Sequence, residues 1–316
     1  MSFYENLVMQ TQMNYQQYYS VYASGRTSYA LSEKKPLSYQ EQISRLVHEI
    51  READCILVGG ASGLSAAGGG DFYYEDNASF HKYFGKFVEK YHFKGAFDGM
   101  MRQRDDRTAF WAYLATFLHT TQTAPVREPY LNLDALLQGK DFFILTTNQD
   151  TQFVKLYPED KVAEIQGDHR FFQCAACCTD DTWDTVKPVE KMMSAMGDDI
   201  TIPENLIPRC PHCGSPLTVN IADSNSFFQT RHFQKKMKDY QNFIQKYHGK
   251  NLVILELGIG WRNRMIKEPL MQLTASEPHA FYITFNKGEI YIPSDIADKS
   301  VGMNGDIADM LERILG

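Results

Sequence analysis

The sequence lacks any stretch approaching the roughly 20 consecutive apolar residues that span a bilayer, so no transmembrane helix is expected. It has no run of basic residues. Its 32 Lys and Arg stand against 39 Asp and Glu, a net charge of −7. Nucleic acids and anionic membranes select for clustered positive charge, so neither is an expected partner. The opening segment, MSFYENLVMQTQMNYQQYYS, has neither the basic region nor the apolar core of a secretory signal, and the expected compartment is the cytoplasm. No internal repeat or low-complexity array occurs. Cysteine is too sparse for a disulfide scaffold: there are six in 316 residues. What remains is ordinary globular composition, 43% hydrophobic and 22% charged, able to bury a sizeable core. At about 150 residues per domain, the length allows one large or two modest domains.

Periodicity organises the chain. Residues 1–35 are rich in Tyr, Gln and Ser, show no clear period, and read as a mobile or draped extension. A helix opens at Ser38, which has capping-box spacing to Glu41, and Ile43, Leu46, Val47 and Ile50 share its apolar stripe. The apolar run Cys55–Val58 ends in glycines, as a buried parallel strand does on entering a loop. Residues 72–118 are dense in aromatics and read as a mostly helical insertion with its own small core. Further apolar strands are expected at Phe142–Leu145, Val162–Ile165, Leu252–Leu257 and Phe281–Phe285, with helices over 226–247 and after Asp306. Apolar strands alternating with amphipathic helices predict an α/β fold, a Rossmann-like doubly wound parallel sheet. The expected large domain comprises 36–75, 120–168 and 223–316. The smaller composite domain joins the helical insertion of 76–119 to a cysteine-bearing module of 169–222.

Several segments could carry chemistry. Gly59-Gly-Ala-Ser-Gly-Leu-Ser-Ala-Ala-Gly-Gly-Gly70 follows a buried strand, and small residues there let backbone N–H groups approach a diphosphate. Cys174-x-x-Cys177 and Cys210-x-x-Cys213 have the spacing of two knuckles that enclose one structural zinc ion, with Cys178 as a spare thiol or an alternative ligand. Thr147-Asn-Gln-Asp150 sits at a strand end, where open α/β sheets place ligands. Glu164-Ile-Gln-Gly167, Leu257-Gly-Ile-Gly260, Asn286-Lys287 and Asp306-Ile307 are further strand-end loops, each weak alone.

Together and in this order, over roughly 40–316, these motifs resemble the sirtuin family of NAD-dependent enzymes. Gly60 to Phe72 is similar to the family's glycine-rich loop ending in Asp-Phe-Arg. Thr147-Asn-Gln-Asp150 resembles Gln-Asn-Ile-Asp, Glu164-Ile-Gln-Gly167 resembles Leu-His-Gly, and Gly258-Ile-Gly260 resembles Gly-Thr-Ser. The resemblance implies NAD bound by Gly60, Ala61, Ser62, Ser65, Asp71, Phe72, Asn148, Asp150, Gln166, Gly258, Ile259, Gly260, Asn286, Lys287, Asp306 and Ile307. It implies Asn148, Asp150 and Gln166 as the catalytic set, and Cys174, Cys177, Cys210 and Cys213 as the zinc ligands. Two departures stand out. Gln166 replaces the family's catalytic histidine, and Tyr73 replaces its arginine, for which Arg102, Arg104 or Arg262 are candidate substitutes. The glycine loop, Thr146-Thr-Asn148 and Leu255-Glu-Leu-Gly-Ile-Gly260 resemble the macrodomain-linked (class M) branch of bacteria and fungi. That branch implies mono-ADP-ribosylation of a lipoyl-bearing carrier similar to the H protein of glycine cleavage, in oxidative stress, with a separately encoded macrodomain partner.

Deacylation requires a base to activate a ribose hydroxyl, and glutamine has no accessible pKa. Transfer of ADP-ribose requires only an acceptor nucleophile at the ribose carbon. The expected activity is therefore NAD-dependent protein ADP-ribosylation. The alternatives are a deacylase or NAD hydrolase on the same fold, or a non-catalytic NAD or ADP-ribose binding module.

Overall fold

The computed structural model describes residues 37–70, 73, 75–102, 106–222, 230–260, 263–288 and 290–315. The N-terminal extension of 1–35, Asp71 and Phe72 lie outside them.

The first helix, α1 (Tyr39–Glu52), starts as its sequence dictates. Ser38 Oγ accepts from the Glu41 amide at 3.3 Å, and the Glu41 carboxylate accepts from the Ser38 amide at 2.7 Å. It feeds β1 (Cys55–Gly60), which is buried along its whole length. The short α2 (Ser62–Ala67) follows. Three helices come next: α3 (Ala78–Tyr91), α4 (Ala96–Arg102) and α5 (Arg107–Thr123). Asn77 caps α3 and Asp106 caps α5 through side-chain oxygens.

The chain then returns through α6 (Glu128–Leu137) to β2 (Asp141–Thr146), α7 (Gln152–Leu156) and β3 (Val162–Glu164). Two short strands, β4 (Gly167–Cys174) and β5 (Thr182–Asp184), precede α8 (Val186–Ala195) and β6 (Leu217–Ile221). The C-terminal part contains α9 (Arg231–Lys246), β7 (Leu252–Leu257), α10 (Arg264–Ser276), β8 (Ala280–Asn286), β9 (Ser300–Asn304) and α11 (Ile307–Leu315).

Six strands form one parallel sheet in the order β3-β2-β1-β7-β8-β9. The chain winds outward from β1 to β3, then returns to the other side of β1 and winds outward again. The switch point lies between β1 and β7, the place where such sheets receive ligands. One face is covered by α1, α6 and α11 through Leu46, Leu133 and Leu311, the other by α9 and α10 through Phe243 and Leu270. Burial on both faces explains why the central strands β1, β2, β7 and β8 are mostly apolar, with Glu256 of β7 as a buried exception.

The second sheet is antiparallel, in the order β5-β4-β6. Its core is continuous with that of the helical insertion: Trp111 of α5 meets Phe172 of β4 edge-on at 5.6 Å, and Phe84, Tyr113 and Phe117 stack behind it. Tyr73 packs here too, 5.6 Å from Phe97 and 5.7 Å from Phe117. Among the described residues, no helix is long and apolar enough to cross a membrane.

One ion pair lies inside the parallel sheet's helical layer. Lys267 of α10 is 1% exposed and Glu256 of β7 is fully buried; Nζ to Oε1 is 2.5 Å. Tyr282 and Thr284 of β8 also donate to Glu256, while Lys267 donates to the Ile259 carbonyl at 3.1 Å. The pair thus ties the loop after β7 to the sheet. Removing one partner strands a buried charge, whereas removing both does not. In urea titrations, Lys267→Met should lose roughly 3–5 kcal/mol of stability. Glu256→Gln combined with Lys267→Met should recover much of it.

Candidate functional site

The site is assembled around the switch point. The turn into α2 passes so close to the loop after β7 that neither side has room for a side chain. A Cβ on Gly63 would lie 2.6 Å from the Gly258 Cα, and Gly258 itself adopts φ +65°. The Gly63 amide donates to the Gly258 carbonyl at 3.0 Å. These glycines are therefore packing residues first. Ile259 is fully buried in the core and its carbonyl accepts from Lys267.

β2 delivers Asn148 and Asp150. The Thr146 hydroxyl accepts from the Asn148 amide at 2.9 Å, fixing the strand end. Asn148 Nδ2 donates to the Ala61 carbonyl and to Tyr130 Oη, both at 3.1 Å. Asp150 Oδ2 accepts from Tyr130 Oη at 2.8 Å and from Ser65 Oγ, and Oδ1 accepts from the Gln152 amide at 3.2 Å. Thr151, next in the chain, takes the left-handed conformation at φ +60°, unusual for a β-branched residue. Its hydroxyl is tied to the Thr121 carbonyl at 2.9 Å.

The structure thus brings Ala61, Ser65, Asn148 and Asp150 into one interlocked network. Ser65 spends its hydroxyl inside it rather than facing outward. Tyr130, its hub, was not a sequence candidate. It lies on the same helical stripe as Leu133 and Leu137, and in sequence reads only as a core aromatic.

Gln166 occupies the turn between β3 and β4, half-buried, with its carbonyl accepting from the Ala222 amide at 2.7 Å. Charged groups clamp this turn from behind. Lys236 of α9 donates to the Val162 carbonyl at 3.0 Å and pairs with Glu164 at 2.8 Å, while Arg170 pairs with Asp168 at 2.6 Å. Burial, with Asp168 close by, pushes the Glu164 carboxyl up.

A small cavity between β2, α7 and the β3–β4 turn is lined by Asn148, Gln149, Asp150, Glu164, Asp168 and His169. His169 was missed from sequence. Its imidazole is 1% exposed, stands edge-on to Phe117 at 5.5 Å, and has no hydrogen-bond partner of normal geometry on either nitrogen. Burial holds its pKa down to about 4, against an upward pull from Asp168 and from a contact with the Gln149 backbone. Three residues from Gln166, it is an imidazole sealed in the neutral form.

The remaining strand-end residues lie on the far side of β7. Asn286 ends β8, its carbonyl accepting from the Gly305 amide at 3.2 Å, and Lys287 is exposed. Asp306 Oδ1 caps α11 through the Ala308 amide at 2.9 Å. Ile307 is a core residue, so only its backbone can meet a ligand. Among the arginines considered for the role lost at Tyr73, Arg104 and Arg262 lie outside the described residues and Arg102 closes α4.

The cysteine module corrects the expected ligand set. The sulfurs of Cys174, Cys178, Cys210 and Cys213 lie within 4.8 Å of one another. Cys177 is not among them. It takes the left-handed turn position, at φ +50°, and its amide closes the turn on the Cys174 carbonyl at 3.0 Å, so that Cys178 turns inward in its place. Cys210 and Cys213 form the second knuckle, closed by the Gly214 amide on the Cys210 carbonyl at 2.9 Å. The four thiolate donors suit one structural zinc ion.

Purified Cys178→Ser protein should lose zinc, measured by elemental analysis, whereas Cys177→Ser should keep one ion per chain. For His169, the unfolded chain takes up a proton below about pH 6.5 that the folded chain refuses until about pH 4. Stability therefore falls as pH drops through that window, by up to about 3 kcal/mol. His169→Phe should remove this component, so melting curves of variant and wild type should diverge in the variant's favour on acidification.

No protein-family model matches the chain. A curated relative, a protein ADP-ribosyltransferase of Staphylococcus aureus (strain Mu50 / ATCC 700699), is 30% identical over 270 residues, 84% of either chain. A probable bifunctional ADP-ribose hydrolase/ADP-ribosyltransferase of Fusarium oxysporum f. sp. cubense is 27% identical over 233 residues; these are 67% of this chain but only 36% of the fungal protein. Among solved structures, a Sir2 homologue in complex with NAD superposes with a TM-score of 0.54 at 14% identity, over 86% of this chain and 92% of its own. A Sir2 homologue mutant in complex with ADP-ribose gives 0.54 at 13% identity, over 86% and 94%. The chain belongs to the protein ADP-ribosyltransferase family and is built on the sirtuin fold.

Proposed function

We propose that the protein cleaves NAD at its nicotinamide glycosidic bond and transfers ADP-ribose to a lipoyl-bearing carrier protein. The observation that carries this reading is Gln166. It stands in the turn between β3 and β4, beside the strand end that bears Asn148 and Asp150. A glutamine there can orient hydroxyls but cannot take a proton. The one imidazole lining the adjoining cavity, His169, is enclosed and far below the pKa range that suits a base near neutrality.

The residues fit a nicotinamide dinucleotide. The Ala61, Gly63 and Gly258 amides are spent within the fold, so in this reading the switch point offers the backbone N–H groups of Ser62, Ile259 and Gly260. Asn286 and Asp306 line the strand ends on the adenosine side of the expected path. Bound NAD supplies an ADP-ribosyl group whose leaving group, nicotinamide, departs with the bonding electrons. Asn148 and Asp150 are fixed before reaction by Thr146, Tyr130, Ser65 and the Ala61 carbonyl, so they stabilise positive charge developing on the ribose without reorganising. Gln166 then orients the ribose hydroxyls or the incoming nucleophile. In this reading the acceptor belongs to a lipoylated carrier. A separately encoded macrodomain protein removes the modification; the fungal relative's name joins hydrolase and transferase in one chain, which supports that pairing. The class M branch, the zinc-bearing small domain and a cytoplasmic location complete the proposal.

Incubation with labelled NAD should modify the lipoylated carrier and not the bare one, with nicotinamide released in equal amount. Asn148→Ala should cut nicotinamide release by roughly 100-fold or more while leaving the melting temperature within a few degrees. Faster loss of acyl groups than attachment of label identifies a deacylase instead. Nicotinamide release without labelled protein identifies a hydrolase.

A further inference from the structure

The loop entering α6 holds a partly buried arginine, Arg127, whose enclosed Nη1 is not used. Arg127 has 12% of its side chain exposed, and its Nη1 has no hydrogen-bond partner. The carboxylate paired with it, Asp150, lies 3.8 Å away, and the facing oxygen Oδ2 already accepts from Tyr130 and Ser65. The Arg127 backbone, rather than its guanidinium, is fixed by a neighbouring side chain. Gln152, itself fully buried, accepts from the Arg127 amide at 2.8 Å and donates to the Pro125 carbonyl at 3.1 Å.

The glycine loop is shaped around this side chain. A Cβ on Gly68 would lie 2.9 Å from the Arg127 Cδ, and one on Gly70 would collide with Nη1. The last glycines of the loop therefore admit a guanidinium beside Asp150, at the C-terminal end of α2. Lys155 adds to the charge. Its ammonium, tied to the Thr121 and Ala124 carbonyls at 2.9 and 2.6 Å, also interacts with Asp150 and Arg127. Two cations against one carboxylate leave this part of the site one positive charge in excess. A partly buried guanidinium whose enclosed Nη1 is unspent suits an oxyanion.

We propose that Arg127 is a ligand-binding residue that donates to the diphosphate of the dinucleotide. It supplies the cation that Tyr73, turned into the aromatic core, cannot. This inference rests on the NAD reading above and names the residue that anchors the anionic half of that substrate. No bond is made or broken by Arg127. It contributes charge-assisted hydrogen bonds and orientation.

The test is isothermal calorimetry on the full chain with NAD, ADP-ribose and nicotinamide riboside, which has no diphosphate. Arg127→Gln should weaken NAD and ADP-ribose roughly 10- to 100-fold. Arg127→Lys, which keeps the charge and guards against a folding artefact, should stay within severalfold of wild type. Riboside binding should be the same in all three. Unchanged NAD affinity in folded Arg127→Gln overturns the assignment. So do equal losses for NAD and riboside, which reduce Arg127 to a counterion of Asp150. Wild-type protein that binds neither NAD nor ADP-ribose overturns instead the functional reading itself.

Discussion

The contact on which the rest depends is the backbone crossing of Gly63 and Gly258. It joins the first turn of α2 to the loop after β7 at van der Waals limit, on the line where the parallel sheet reverses its winding direction. Because α2 is pinned there, Ser65 reaches Asp150, and Ala61 offers its carbonyl to Asn148. Lys267 fixes the other side of the crossing by holding the Ile259 carbonyl against the buried Glu256. Side chains from β1, β2, β7, α6 and α10 thus depend on one close approach that only glycine permits.

The polar groups around this crossing fall into two classes. Those of Asn148, Asp150, Ser65 and Tyr130 are largely spent on one another, which makes the strand end stiff before any ligand arrives. The His169 imidazole and the Arg127 Nη1 are enclosed without a hydrogen bond of normal geometry. Native structures rarely leave such groups unsatisfied without reason. A stiff network beside underused donors is what preorganised electrostatic stabilisation requires: fixed dipoles for developing charge, and free donors for the ligand's anion. The imidazole differs from the guanidinium in being able to shed its charge, and burial drives it to do so.

Much of the architecture was legible in sequence because its signals are local. The capping box at Ser38 and Glu41 forms as read, Leu252–Leu257 is a strand with the expected ends, and the helix after Asp306 packs Ile307, Met310 and Leu311 inward. The helix expected over 226–247 is described from Arg231 to Lys246. The strand Ser300–Asn304 was not anticipated. It contains Gly302 and Asn304 and alternates weakly, and its pairing with β8 supplies what its own pattern lacks. β4 and β6 went unread for a similar reason: the cysteines and charged residues in and around them obscure any period.

Sequence by itself determined the alternation of strand and helix, the order of the loops at the sheet's C-terminal edge, and a non-titrating Gln166 at the turn where the resemblance leads one to expect an imidazole. These are matters of residue type and spacing along the chain. Tertiary structure decided which side chains meet. Cys178 replaces Cys177 because a left-handed residue reverses the chain one position late. Tyr130 becomes the hub of the strand-end network because α6 lays it against β2. Arg127 enters the glycine loop because two glycines 57 to 59 positions earlier leave room for it. Contacts between residues so far apart in sequence carry no local period, and they exist only once the sheet has brought its strand ends together.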